Sequence, residues 1–266
     1  MEQTCLNCKS IIITNFCEEC GQKKFKRIDR TYVWEEIQYT FLHTNKGFLY
    51  SVKNIIKNPG KTAREFIDGN RINHYKPILL VFLLSGISAF ISFKIIEFND
   101  IMKSINSKNV QNSELMNDYM TLLSSYSAFF MLLSVPFFAV TTKLAFRSWG
   151  HNFYEHVVMN AYILSFYTLF IIIIFSPLLY IFKDNEQFIM SLIAYTYLPL
   201  PFILFWFFKE FYKDKSGKSI FLRVLLTLVI VFVGFILMMI FFVIVGIIFA
   251  MFYGPEALEY IAPKPK

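Results

Sequence analysis

The sequence has few charged residues, and it has none near the centre of its longest apolar stretches. Charged residues make up 17% of the 266-residue chain and apolar residues 56%, against roughly 25% and 45–50% in soluble proteins. Five apolar stretches of about 20 residues carry no internal charge, and that length crosses a hydrocarbon core ~30 Å thick. The composition therefore predicts an all-α polytopic membrane protein rather than a soluble domain.

The uncharged centres also bear on function. Proton-coupled transporters and many channels place ionisable side chains inside the membrane, and none lies near the centre of these stretches. The sequence also lacks a Gly-rich phosphate loop, a nucleophile elbow and a paired carboxylate motif. We therefore expect a non-enzymatic protein, with a small-molecule transporter or permease as the alternative. Prolines interrupt three predicted spans, where they either kink packed helices or free carbonyl groups that line a cavity: Pro136, Pro177, Pro199 and Pro201.

Cysteine is absent after residue 20, and all four cysteines lie in two C-x-x-C pairs. Cys5 and Cys8 form the first pair, and Cys17 and Cys20 form the second. Two such pairs supply four ligands for tetrahedral Zn²⁺, and a site with four cysteine ligands has no open position for catalysis. Gly21 directly follows the second pair, where a turn often requires positive φ. We predict a structural zinc site, because so short a segment cannot fold on its own core.

The distribution of Lys and Arg predicts the orientation of the chain. If the N-terminus is cytosolic, residues 1–76, 143–156 and 209–223 are inside and carry 20 basic residues, against 6 in residues 94–118, 183–187 and 253–266. This bias places the N-terminus inside and the C-terminus outside. Cytosolic thiols stay reduced, which favours zinc over two disulfides; an iron–sulfur or redox site is the remaining alternative. Few basic residues form a run suited to nucleic acid, so we expect no nucleic-acid partner.

The apolar pattern divides the chain into four segments. Residues 1–24 form the zinc-ribbon module, 25–76 a basic amphipathic helical linker, 77–252 a five-helix transmembrane bundle, and 253–266 a short C-terminal tail. The predicted spans are residues 77–93, 119–142, 157–182, 188–208 and 224–252.

The linker carries helix signals and basic flanks. One helix is expected to begin at Asp29 or Thr31, another after Gly47, and a third at Asn58, with Pro59 as its first residue and Gly69 as its stop. Such helices, with one apolar stripe each, either lie on the membrane surface or pack on each other in a small cytosolic domain. The side chains predicted to contact the membrane surface are Lys53, Lys57, Lys61 and Arg64.

The string "HNFYEH" brings His151, Glu155 and His156 together in the sequence. It fits neither metalloprotease pattern, H-E-x-x-H nor H-x-x-E-H. We interpret these residues as polar groups at the start of a helix, with a metal site as the alternative.

The order of motifs in residues 4–90 resembles one family. "CLNCKS" and "FCEECGQ" are followed by "KGF", "NPGKT" and "R…YKP", a pattern similar to DUF3667, a family of uncharacterised bacterial membrane proteins with an N-terminal zinc ribbon. The five predicted spans bear a weaker likeness to Yip-family proteins. The resemblance implies a multi-pass protein of a bacterial inner membrane, and it carries no reaction. We expect a scaffold or adaptor that contacts the lipid bilayer and presents its cytosolic ribbon to a partner protein; no small-molecule ligand is indicated.

Overall fold

A computed structural model of the chain describes residues 3–5, 7–21, 47–71, 74–108 and 114–254. The chain divides into two compact units, residues 1–47 and 48–266, which we describe separately. The helix predicted to begin at Asp29 or Thr31 and the tail beyond residue 254 lie outside the described residues. The predicted segment boundaries after residues 24, 76 and 252 stay predictions.

The described part of the first unit is a small β-hairpin with two turns. Strands β1 (Gln3–Thr4) and β2 (Ile11–Ile12) pair antiparallel, with Gln3 opposite Ile12 and Thr4 opposite Ile11. Cys5, Ile12 and Cys17 are its buried residues. So small an apolar core cannot hold a fold by itself, which agrees with the argument for a metal.

The described part of the second unit is helical. Its helices are α1 (Gly47–Lys57), α2 (Pro59–Ile67), α3 (Pro77–Phe90), α4 (Phe98–Lys108), α5 (Glu114–Ala145), α6 (Phe153–Phe170), α7 (Ser176–Ile181), α8 (Glu186–Tyr195), α9 (Leu200–Phe211) and α10 (Gly217–Tyr253). A π-helical turn, Ile91–Ile95, continues α3, and another, Ile171–Phe175, joins α6 to α7. A short 3₁₀ turn, Arg147–Trp149, follows α5.

Within the described residues, five helical segments are long and apolar enough to cross a membrane, which confirms the predicted number. They are Pro77–Ile95, Leu115–Ala145, Phe153–Ile181, Glu186–Phe211 and Gly217–Phe249. Most begin several residues before the predicted apolar stretch, because the helices continue into their polar flanks. The chain is thus an all-α polytopic protein with a four-cysteine module ahead of the spans.

The prolines affect the spans in different ways. The fourth span is divided into α8 and α9 by a turn that contains Pro199, and Pro201 lies in the first turn of α9. Pro177 follows the π-helical turn of the third span. In the second span Pro136 lies inside α5, whereas the non-helical dihedral angles occur earlier, at Tyr126 (φ −119°, ψ 16°).

The main core of the second unit lies where α1 and α2 meet the spans, and we call this region the base of the bundle. It combines residues of α1 and α2 with the start of the third span, the end of the fourth and the start of the fifth. The apolar stripes of α1 and α2 therefore pack against the spans and not only against each other. Its buried members include Ile55 from α1 and Ala63 from α2, together with Tyr162, Phe207, Phe208, Phe211 and Tyr212.

Candidate functional site

The hairpin and a following turn bring the two cysteine pairs together. After β1, the backbone N–H of Cys5 donates to Ser10 O at 2.8 Å, and the N–H of Lys9 donates to Cys5 O at 3.0 Å. The second pair lies in a matching turn, in which the N–H of Gly21 donates to Cys17 O at 2.8 Å. Gly21 has φ of 71°, the left-handed conformation that the sequence predicted for it.

The four sulfur atoms form one compact group. Cys5 Sγ lies 3.6 Å from Cys20 Sγ, Cys8 Sγ lies 3.4 Å from Cys17 Sγ, and all four lie within 4.8 Å of one another. Zn–S bonds of about 2.3 Å in a tetrahedron place sulfur atoms roughly 3.8 Å apart. A disulfide needs about 2.05 Å, and none of the four is disulfide-bonded. The four cysteines can therefore hold a metal ion.

Ser10 adds a hydrogen-bond donor to this group, which sequence spacing alone did not indicate. Its Oγ lies 2.9 Å from both Cys8 Sγ and Cys17 Sγ. The hydrogen bond from Ser10 is the main cause that lowers the pKa of Cys17 to about 6. The pKa of Cys5 is also lowered, mainly by the backbone N–H of Cys8. Because the thiolate is the form that binds metal, the surroundings favour metal ligation.

The same module exposes three large apolar side chains. Ile11 is 60% exposed, Ile13 is 77% exposed and Phe16 is 55% exposed. Glu18 and Glu19 follow Phe16 and are exposed as well. Three exposed large apolar side chains are unusual in so small a module, and exposed apolar surface commonly marks interaction sites.

In the second unit, the string "NPGKT" forms the joint between α2 and the fourth span. Asn58 Oδ1 accepts from the N–H of Lys61 at 2.9 Å, so Asn58 is the N-cap of α2 as predicted. Its Nδ2 donates to Glu210 Oε2 at 2.8 Å. One amide thus caps a helix and ties it to the end of α9. At the other end of α2, Gly69 has φ of 110° and ends the helix, also as predicted.

Gly60 allows α2 to touch the backbone of α9. A Cβ atom at this position would lie 2.2 Å from Phe207 O and 3.0 Å from the backbone N of Phe211. Any larger residue would push the two helices apart. The sequence does not reveal this contact, because nothing local to Gly60 indicates a partner about 150 residues away.

The four basic residues predicted to contact the membrane surface differ in their surroundings. On α2, Lys61 lies 3.7 Å from Glu65, and Arg64 donates to Asp68 at 2.8 Å while its guanidinium lies 5.4 Å from the Phe211 ring centre. On α1, Lys53 and Lys57 are exposed, and within the described residues no carboxylate forms an ion pair with either.

The residues of "HNFYEH" have different hydrogen-bond partners. Asn152 and Glu155 form a capping box at the start of α6, which confirms the interpretation of Glu155 as a helix-start group. His151 packs on the Phe211 and Tyr212 rings and lies 3.2 Å, by its Nδ1, from the Tyr212 hydroxyl. Within the described residues, the group able to hold a metal consists of the four cysteines.

His156 belongs to a buried polar network that the sequence did not reveal. Its Nδ1 lies 3.1 Å from Thr142 Oγ1, which also accepts from Asn160 Nδ2 at 2.7 Å. The Thr142 hydroxyl itself donates to Phe138 O at 3.0 Å. These residues link the second span to the third. His156 lies outside the apolar run by which we recognised the third span, so its burial depends on packing.

Among known proteins, one family model matches a limited segment of the chain. The model of a family described as "Protein of unknown function (DUF3667)" matches residues 45–89. The match confirms the resemblance inferred from the sequence, and the matched segment contains α1, α2 and nearly all of α3. No curated protein and no solved structure gives a significant match. The zinc ribbon of the family and the likeness to Yip-family proteins stay predictions.

Proposed function

We propose that this protein is a membrane-anchored, non-enzymatic adaptor whose first 24 residues fold around Zn²⁺ and present a surface to a partner protein. Four thiolates at these distances form a closed site, which suits a structural ion. The spans anchor the module in a bacterial inner membrane, with the N-terminus cytosolic and the C-terminus periplasmic. The excess of Lys and Arg in the segments predicted to be inside supports this orientation.

The exposed side chains of Ile11, Ile13 and Phe16 are the observation that carries the adaptor proposal. A module without a binding partner would gain nothing from exposing these three side chains, because exposed apolar surface favours association. The acidic Glu18 and Glu19 beside them disfavour the negatively charged inner surface of the membrane as the occupant. A protein surface with an apolar centre and a basic rim fits this patch.

A cross-linked pull-down from native membranes tests the proposal. The wild type is compared with Ile13→Ser/Phe16→Ser, which removes the apolar patch and keeps the four cysteines, and with a variant that has all four cysteines changed to serine. A partner that cross-links to the wild type and is lost in both variants supports an adaptor. An identical set of partners in all three would contradict it.

Transport is a second candidate, favoured by the buried network of Thr142, His156 and Asn160. Polar side chains inside spans are costly and often line a path for ions or substrates. The test is uptake by proteoliposomes: if the protein transports a solute, His156→Phe should abolish a proton-dependent current that the wild type shows. A wild type that shows no current above empty vesicles would leave the adaptor as the better account.

A further inference from the structure

Helix α1 has two faces with different surroundings. Ser51 and Ile55 are buried, and Phe48 and Val52 pack partly buried on the core at the base of the bundle. On the opposite side lie exposed residues at helical spacing: Leu49, Lys53, Ile56 and Lys57. The helix is therefore fixed to the spans by one side and carries alternating apolar and basic groups on the other.

The position of α1 along the bundle is set by contacts with the entry to the first span. The backbone N–H of Tyr75 donates to Ser51 Oγ at 2.7 Å, and the rings of Phe48 and Tyr75 meet edge to face at 5.9 Å. The first span begins two residues later, at Pro77. Because a span enters the hydrocarbon core near its first residue, α1 lies at the level of the membrane interface.

We propose that the outward face of α1 is a contact surface for anionic phospholipids of the membrane in which the spans lie. Leu49, 76% exposed, and Ile56, 44% exposed, reach toward the acyl boundary. Lys53 and Lys57 contact the headgroup phosphates. This arrangement is that of an interfacial amphipathic helix, in which apolar and basic groups share one surface.

The basic residues of α1 and α2 differ in whether a nearby carboxylate compensates their charge. Lys61 and Arg64 on α2 face the carboxylates of Glu65 and Asp68, so an added anion meets little uncompensated positive charge there. Lys53 and Lys57 have no such carboxylate among the described residues. Of the four basic residues that the sequence indicated, these two carry the lipid contact. A lipid rather than a protein is the occupant because this face of α1 lies at the membrane interface. It also combines two separated apolar side chains with two positive charges that no carboxylate among the described residues compensates.

Native mass spectrometry of the full chain in detergent tests this contact. Phosphatidylglycerol and phosphatidylcholine with the same acyl chains are titrated in turn, and the ratio of their affinities is measured. We expect a preference for phosphatidylglycerol that falls roughly 30-fold in Lys53→Ser/Lys57→Ser, since each basic residue near an anionic surface contributes about fivefold. The matched control, Lys61→Ser/Arg64→Ser, removes the same charge and should change the ratio less than about threefold.

Each outcome decides the proposal. An unchanged ratio in Lys53→Ser/Lys57→Ser overturns it, and equal losses in the two double variants would mean that only net charge matters, which also overturns it. An unchanged melting temperature of the variants excludes unfolding as the cause. The inference does not rest on the adaptor proposal: the variant without cysteines should keep its preference for phosphatidylglycerol whether or not a partner protein exists.

Discussion

Single residues determine how closely the linker helices approach the spans. Asn58 and Gly60 act at the same joint, the first through hydrogen bonds and the second through the absence of a side chain. The helix cap at Asn58 could be predicted from the sequence, because an Asn before a Pro is a local signal. The bond to Glu210 and the tight contact at Gly60 could not, since both depend on a residue far along the chain.

Gly60→Ala should destabilise the second unit by about 1–3 kcal/mol, because the new methyl group would overlap the backbone carbonyl of Phe207 and force α2 away from α9. The measurement is a thermal melt of the purified protein in detergent. Gly86→Ala is the control: it lies in a helix with nothing within 4 Å of the added Cβ, and we expect no loss of stability. Equal melting temperatures for the wild type and Gly60→Ala would show that the joint is looser than described.

His74 connects stability to pH. Its side chain is buried between the rings of Tyr50 and Phe66, and no hydrogen-bond partner for either ring nitrogen lies among the described residues. Burial lowers its pKa below the ordinary 6.5, although the Glu65 carboxylate, 3.9 Å away, acts in the opposite direction. Below pH 6.5 the His74 side chain is protonated in the unfolded chain but resists protonation in the folded protein. The stability that His74 contributes is therefore complete above pH 6.5 and is lost as the pH falls.

We therefore expect the melting temperature of His74→Phe to fall less than that of the wild type between about pH 8 and about pH 5. The same series measured on the wild type gives the reference, and any pH dependence left in the variant belongs to other groups. Parallel curves for the two proteins would mean that His74 titrates alike in the folded and unfolded chain.

At the scale of elements, the spans could be predicted because about 20 uncharged apolar residues suffice to define one. Their ends could not, because polar turns such as the capping box of Asn152 and Glu155 extend the helices beyond the apolar runs. The same extension brings His156 into the bundle. The prolines correctly marked the division of the fourth span, whereas the irregularity of the second span at Tyr126 has no proline beside it.

The polar contact between the second and third spans centres on one hydroxyl, that of Thr142. Thr142→Val keeps the shape of the side chain and removes the partner of His156 Nδ1 and one partner of Asn160 Nδ2. We expect a loss of about 1–3 kcal/mol, the cost of a buried donor without a partner. Thr141→Val is the matched control, since among the described residues its hydroxyl bonds the carbonyl of Phe138 alone. A thermal melt that does not distinguish the two variants would contradict the role of this network.

The whole molecule combines a small four-cysteine module with a helical bundle that has its own core. Composition and cysteine spacing were enough to predict both parts. They could not show that α1 and α2 join the bundle, because an amphipathic stripe has the same spacing whether a membrane, another helix or a set of spans covers it. The role of Ser10 beside the sulfur atoms likewise depends on the folded turn.

An odd number of spans places the two termini on opposite sides of the membrane. With the N-terminus inside, a periplasm-active phosphatase fused after Lys266 should be active, and the same enzyme fused before Met1 should be silent. The measurement is phosphatase activity in intact cells at equal expression. A silent fusion at Lys266 would require an even number of spans or the opposite orientation.

Metal content tests the central claim most directly, because the fold of the first unit and its proposed role both depend on the four cysteines. Elemental analysis of the purified full-length protein should find about one zinc ion per chain, with little iron. Replacing Cys17 with Ser should lower that content and expose the first 24 residues to protease while the bundle keeps its melting temperature. Wild-type protein that contains no zinc, or a ribbon that resists protease without the metal, would contradict the account.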